Sequence, residues 1–482
     1  MSLLSCVICT PLLGSALLCL LPERHPILLK TVALWTSCLT LLASLFLWIT
    51  FDSGSAQFQH IQVVPWIGNA NLDVLLGIDG ISLFFVLLTT LLTPICLLVG
   101  WSSVTHMHRE YCIAFLCMES LVLLVFCTLD LLLFYVFFES VLIPMFLVIG
   151  IWGARARKIR AAYQFFLYTL LGSVLMLVAI LSMYLQAGST DYLTLTLCDF
   201  SEERQILLWL AFFASFAVKV PMIPVHLWLP EAHVEAPTAG SVVLAGVLLK
   251  LGSYGLLRFS MVLFPYASTY FTPLVFLMSL VGIVYASLTT LRQVDLKKVI
   301  AYSSVAHMGI VTLGLFSANV QGIEGSLLLQ LSHGLVSGAL FLCVGVVYDR
   351  YKTRLIPYYS GLVHTMPVYA LVFLFFTMAN LAFPGTSSFP AEMLCLVGSY
   401  QANTFACVVA ATGMILGAAY SLWLYNRVVY GTFKPHALTH FADINRREFF
   451  TILPLLVLSV WMGVYPESFL SCMHASVVHM IL

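Results

Sequence analysis

The sequence predicts an all-α polytopic membrane protein of about 14 transmembrane helices. Composition is the first reason: 61% of the 482 residues are hydrophobic and only 9% are charged, with a mean hydropathy of +1.02. A soluble domain carries about 25% charged residues. The second reason is the recurrence of apolar runs of about 20 residues, the length a helix needs to cross the hydrocarbon core. The third is the distribution of Lys and Arg between those runs, because cytoplasmic-side loops collect the positive charge.

Taken in order, the runs cover 3–21, 30–50, 79–100, 111–129, 131–151, 162–186, 207–230, 239–263, 270–291, 299–317, 325–348, 367–394, 404–430 and 449–466. The first, "MSLLSCVICTPLLGSALLCLL", lacks a basic leader and runs on into further apolar sequence, so it reads as a span and not as a cleaved signal. Only Asp130 separates the fourth run from the fifth. Loops after odd-numbered runs hold Arg24 and Lys30; Arg109; Arg155, Arg157, Lys158 and Arg160; Arg292, Lys297 and Lys298; Arg350, Lys352 and Arg354; and Arg427, Lys434, Arg446 and Arg447. These are 17 of the 21 basic residues, whereas loops after even-numbered runs are assigned only Arg204 and Arg258. A miscounted run would scramble this alternation. Both ends of the chain are expected on the face opposite the basic loops. Zero net charge gives no general attraction to nucleic acid. The 13 cysteines lie mostly inside apolar runs and read as packing residues, not as a disulfide framework or metal site.

Four ionisable residues stand well inside spans: Glu139, Lys219, Lys250 and Glu392. Each costs about 2.5–3.5 kcal/mol on insertion scales, so an intramembrane charge is a functional-site hypothesis by default. Static ion pairs would hold helices together, but well-packed apolar pairs do so without the desolvation cost. Four charges spread over four helices suggest a series of proton sites. His226, His307 and His333 join them, because imidazole titrates near neutral pH. His233 lies just past the seventh span, Glu119 is mid-span in the fourth with structural and relay roles open, and Asp130 sits at a boundary.

The seventh span is broken by "KVPMIP" and the twelfth by "AFPGTSSFPAE", with Lys219 beside one break and Glu392 beside the other. Proline removes a helix hydrogen bond, and freed backbone groups at membrane depth must face protein or a wet cavity. Interrupted helices at corresponding places in two halves point to a transport site. Five spans separate the breaks, an odd number, so the two units must be inverted. The expected organisation is an N-terminal three-helix segment (1–110), a first repeat (111–265), a second repeat (266–430), and a loop with a C-terminal helix (431–482).

Four stretches resemble the antiporter-like subunits of respiratory complex I: "LLGIDGISLFFVLLTTLLTP" (75–94), "LDLLLFYVFFESVLIPMFLVIGIWG" (129–153), "KVPMIPVHLWLPEAHVEAPTAGSVVLAGVLLKLGSYGLLR" (219–258) and "RQVDLKKVIAYSSVAHMGI" (292–310). The resemblance covers nearly the whole chain. It implies proton translocation driven by NADH–ubiquinone electron transfer elsewhere in the complex. Glu139 and Lys219 would be the modulating pair, Lys250 the connecting site and Glu392 the terminal site, with His226, His307 and His333 bridging. Sister chains usually carry Lys where Glu392 stands, and relatives often have an uncharged polar residue in place of Glu119. The resemblance further implies no cofactor in this chain, other membrane-arm subunits including sister antiporter-like chains as partners in the lipid bilayer, and a mitochondrial inner membrane with basic loops toward the matrix. A bacterial plasma membrane is the alternative location. The rival function is a subunit of a multi-subunit cation/proton antiporter, which shares the fold and residue types.

Overall fold

The computed structural model describes residues 2–67, 72–432 and 442–481. Lys434, counted above among the basic-loop residues, lies outside them. Among the described residues, twelve helices are long and apolar enough to cross a membrane. They are α1 (Leu3–Leu20), α2 (Pro26–Thr50), α3 (Gly80–Ser103), α4 (His108–Cys127), α5 (Leu131–Trp152), α6 (Lys158–Ala187), α9 (Thr238–Met261), α10 (Pro265–Leu291), α11 (Leu296–Leu315), α12 (Val320–Tyr351), α15 (Thr404–Val429) and α16 (Arg446–Val464). The two Pro-broken runs appear as helix pairs: α7 (Glu202–Lys219) with α8 (Trp228–Glu235), and α13 (Pro367–Asn380) with α14 (Ser388–Ala402).

Short polar side chains set where helices begin. Asp79 caps α3 reciprocally with Ser82, and Asp130, Asp295, Asn319 and Asn403 cap α5, α11, α12 and α15. Each side-chain oxygen accepts from a first-turn amide that has no helical partner. Asp130 is therefore a helix boundary, which is why a single acid suffices to divide the fourth run from the fifth.

Lateral contacts sort the loops into two faces. Those after odd-numbered runs meet one another: Lys30 Nζ donates to the Trp101 carbonyl, Trp152 Nε1 to the His106 carbonyl, Arg447 to Ser102 Oγ and Lys297 Nζ to the Ala236 carbonyl. Arg350 bridges to Glu448 at 2.8 Å. On the other side, Leu129 N donates to Leu75 O and Leu131 N to Thr190 O. One basic residue is misplaced in the sequence reading. Arg258 is no loop residue; it lies inside α9, buried, and pairs with Asp79 at 2.5 Å.

Several elements fall outside the predicted set, among them a short helix over Tyr192–Thr196. An antiparallel hairpin, β1 (Gln59–Ile67) and β2 (Leu72–Ile78), precedes α3, and a final helix, α17 (Glu467–Ile481), follows α16. Gly80 N donates to Ser476 Oγ and ties α17 to the start of α3. Cys6 and Cys9, which form a CxxC spacing, lie on α1 as free thiols.

The core centres on α9 and α12, whose apolar windows are fully buried, while α1, α2, α15 and α16 bury a third or less of theirs. Glycine makes the central approach possible. A Cβ on Gly334 of α12 would sit 3.1 Å from the Gly246 carbonyl of α9, and one on Gly325 would sit 2.6 Å from the Cys395 amide of α14. Small residues let membrane helices pack backbone to backbone, and this brings the charged side chains of α9, α12 and α14 together.

Candidate functional site

Lys219 is the last residue of α7, 2% exposed, at the point where the chain leaves helical geometry. Its ammonium faces the carbonyl end of the helix, where positive charge is favoured. The Nζ lies 4.3 Å from the ring centre of Phe138, a cation–π contact worth up to about 2 kcal/mol when desolvated. Glu139 follows Phe138 on α5 and forms no direct ion pair with Lys219. One of its carboxylate oxygens is buried without a partner. The lysine thus rests on an aromatic face with a carboxylate nearby.

Lys250 sits at the centre of α9, fully buried. The helix widens to π geometry on either side of it, over Leu244–Leu248 and Leu256–Met261. Such turns are rare and concentrate at functional sites. Lys250 Nζ donates to the Ala245 carbonyl and lies 2.8 Å from His333 Nδ1 on α12. The His333 ring is 5.9 Å, centre to centre, from that of His307 on α11. His307 Nδ1 is 3.0 Å from Glu392 Oε1 on α14, and its Nε2 is 3.2 Å from Asn380 Oδ1. Four of the seven candidates therefore form one line, Lys250–His333–His307–Glu392, across four helices.

Neutral polar groups surround that line. Ser253 Oγ donates to Gln330 Oε1 at 2.5 Å, and Ser332 lies 2.8 Å from both Ser387 and Ser388 at the second break. A narrow crevice of about 10 Å³ includes His307, Asn380, Glu392 and Tyr420 in its lining. Asn380, Gln330 and Tyr420 were not singled out from sequence, because they carry no formal charge; an amide inside an apolar run was the available signal.

His226 stands apart. It is buried between Tyr285 and Tyr302, at ring separations of 6.2 and 6.3 Å, and no direct hydrogen bond joins it to the other six candidates. Glu119 accepts from Thr40 Oγ1 at 2.8 Å and so fastens α4 to α2. Asp130 accepts from Thr190 Oγ1 at 2.5 Å in addition to its capping bond.

A family profile described as NADH:quinone oxidoreductase/Mrp antiporter, transmembrane, matches residues 128–417. Over 478 residues the chain is 62% identical to NADH-ubiquinone oxidoreductase chain 4 of Marchantia polymorpha, covering 99% of this chain and 97% of that one. It is 53% identical over 465 residues to NADH-quinone oxidoreductase subunit M of Rhodobacter capsulatus, with 94% and 90% covered. Among solved structures, a chain of respiratory complex I from Thermus thermophilus with bound NADH matches at a TM-score of 0.90 and 30% identity over 99% of each chain. A chain of the Mrp complex from Dietzia sp. shares the fold at a TM-score of 0.87 and 20% identity, over 100% of this chain and 98% of that one. The chain belongs to the NADH:quinone oxidoreductase/Mrp antiporter family of membrane subunits. Within that family, its full-length likeness is to the chain 4 subunits of NADH-ubiquinone oxidoreductase.

Proposed function

We propose that this chain is a proton-translocating membrane-arm subunit of respiratory complex I, working in the mitochondrial inner membrane beside sister antiporter-like subunits. The observation that carries this reading is the alignment of Lys250, His333, His307 and Glu392, with close contacts of 2.8 and 3.0 Å at its two ends and the two histidine rings 5.9 Å apart between them. The chain supplies no redox group of its own in this reading. Fourteen membrane crossings, two inverted units over 111–265 and 266–430, and basic loops toward the matrix complete it.

The mechanism follows from charge. Electron transfer elsewhere in the complex alters the field or packing at Glu139. Withdrawal of that carboxylate leaves the Lys219 ammonium buried over Phe138 without a counter-charge, and Lys219 releases its proton toward Lys250. Lys250 hands a proton to His333, His333 to His307, and Glu392 receives it beside Asn380. Carrying one charge against the membrane potential costs about 2.3 kcal/mol per 100 mV, so the change at Glu139 must exceed that. Differences of two to three factors of ten between loaded and unloaded states suffice, at about 1.4 kcal/mol each. His226 stands beside this route and lends no direct link to it.

Glu392→Gln tests the reading. The amide keeps the shape but cannot take up the proton. In the assembled complex, NADH–ubiquinone turnover and proton pumping should both fall by about a hundredfold, the low end of what a positioned proton-transfer group contributes. Pumping and turnover within twofold of the parent would sink it.

A further inference from the structure

On the face of the basic loops, a crevice of about 190 Å³ opens between the α3–α4 loop, the end of α5 and the end of α12. Lys297 and Arg354 lie on its lining although they are only 3% and 1% exposed. We propose that this crevice is where a proton is taken up toward Lys250, with His233 as the connecting group. The inference rests on the reading of Lys250 as a relay site.

The crevice ends in buried groups held apart. Arg354 Nη2 is 3.7 Å from Glu235 Oε1, and its Nε is 3.7 Å from Asp295 Oδ2. Both separations exceed a hydrogen bond, and neither nitrogen has another partner, nor does the second oxygen of Glu235. Buried groups left this way call for water between them. Arg354 Nη1 alone is fixed, donating to the Val234 carbonyl. Lys297, Arg354 and the rim residue Lys352 face Glu235, Asp295 and Asp349, three cations against three carboxylates. An arriving proton therefore meets no excess of positive charge.

Inward of that cluster, Lys297 Nζ donates to the Ala236 carbonyl at 2.8 Å and to Ser241 Oγ at 3.2 Å, and Ser241 Oγ donates to the His233 carbonyl at 3.1 Å. His233 is fully buried on α8, the short helix beyond the first break, and stacks on Phe341 at 4.7 Å. Both ring nitrogens lack a protein partner. Lys297, Lys250 and His333 all lie within electrostatic reach of its ring. Packing alone would be served better by phenylalanine, since an imidazole with two unbonded nitrogens loses its hydration for nothing. The step is a two-stage relay of one proton. An N–H forms on one ring nitrogen of His233 as an O–H of a hydronium ion in the crevice breaks, leaving neutral water. The N–H on the other nitrogen then breaks as one forms on the Lys250 amine, directly or through a water.

His233→Phe keeps the stack on Phe341 and removes both nitrogens. In the assembled complex, sealed in vesicles with pH set separately on each side, turnover and pumping should fall about a hundredfold. Both should recover when pH is lowered on the basic-loop side only, because water alone must then carry the supply; a packing defect would not respond to the side. His233→Gln serves the same test if the phenylalanine variant fails to assemble. Rates within twofold of the parent at every pH, with Lys250→Ala inactive, would overturn this intake route alone. Normal rates in Lys250→Ala as well would overturn the relay reading with it.

Discussion

Replacing Lys250 by Arg separates a relay from a fixed charge more cleanly than neutralising it does. Lys250 Nζ and His333 Nδ1 are 2.8 Å apart and both are buried. Two positive charges at that distance repel by about 6 kcal/mol at an effective dielectric of ~20, or roughly four factors of ten in population. The pair therefore holds one proton between them, and His333 can accept only as Lys250 gives up its own. Arginine keeps the charge and cannot be deprotonated. Lys250→Arg should thus assemble, as judged on a native gel, yet lose about 99% of NADH–ubiquinone turnover and pumping in proteoliposomes, matching the hundredfold lower end for a proton-transfer group. His333→Asn, which leaves an acceptor for Lys250 but carries no proton, should behave alike and controls for the bulk of arginine. Full pumping by Lys250→Arg would show that the position needs only a positive charge, and the relay argument would fail there.

Two further outcomes concern the frame that holds the line. Asp79→Asn keeps the cap on α3 but strands Arg258 in the core, so stability should drop by about 3–5 kcal/mol; a lowered thermal midpoint of the complex, largely restored in Asp79→Asn/Arg258→Met, is the expected result. Gly325→Val places a Cβ 2.6 Å from the Cys395 amide and 2.7 Å from Leu394 Cβ. Forcing α12 from α14 should cost about 1–3 kcal/mol or more and lower pumping together with thermal stability, because Glu392 rides on α14.

What was legible in the sequence was whatever costs most to place in a membrane. Lys219, Lys250, Glu139 and Glu392 stand out because a charge inside an apolar run has few innocent explanations, and the prolines beside two of them mark where helices end. Of the capping residues only Asp130 reads as a boundary; Asp295 and Asn319 cap helices that start ahead of the apolar runs at 299 and 325, because their first turns are polar. Other features left weaker traces. The hairpin at 59–78 alternates too irregularly, with bulges near Gln59 and Pro65, to declare itself inside an extramembrane stretch. The π turns around Lys250 come from tertiary packing and have no residue pattern. Arg258 looked like a loop residue because it lies near the end of a span, and only the fold brings Asp79 to it from 179 positions away. His226 and His333 are alike as letters within spans; which way each side faces is decided by its helix's neighbours.

Lys219→Ala in the intact complex tests the central claim most directly, with proton pumping and NADH–ubiquinone electron transfer measured side by side. The account predicts that both collapse while the complex remains assembled, because the change of charge at Lys219 drives proton movement along the line from Lys250 to Glu392. Pumping and turnover both near the parent values would contradict it, and would leave the buried lysine as a packing charge over Phe138.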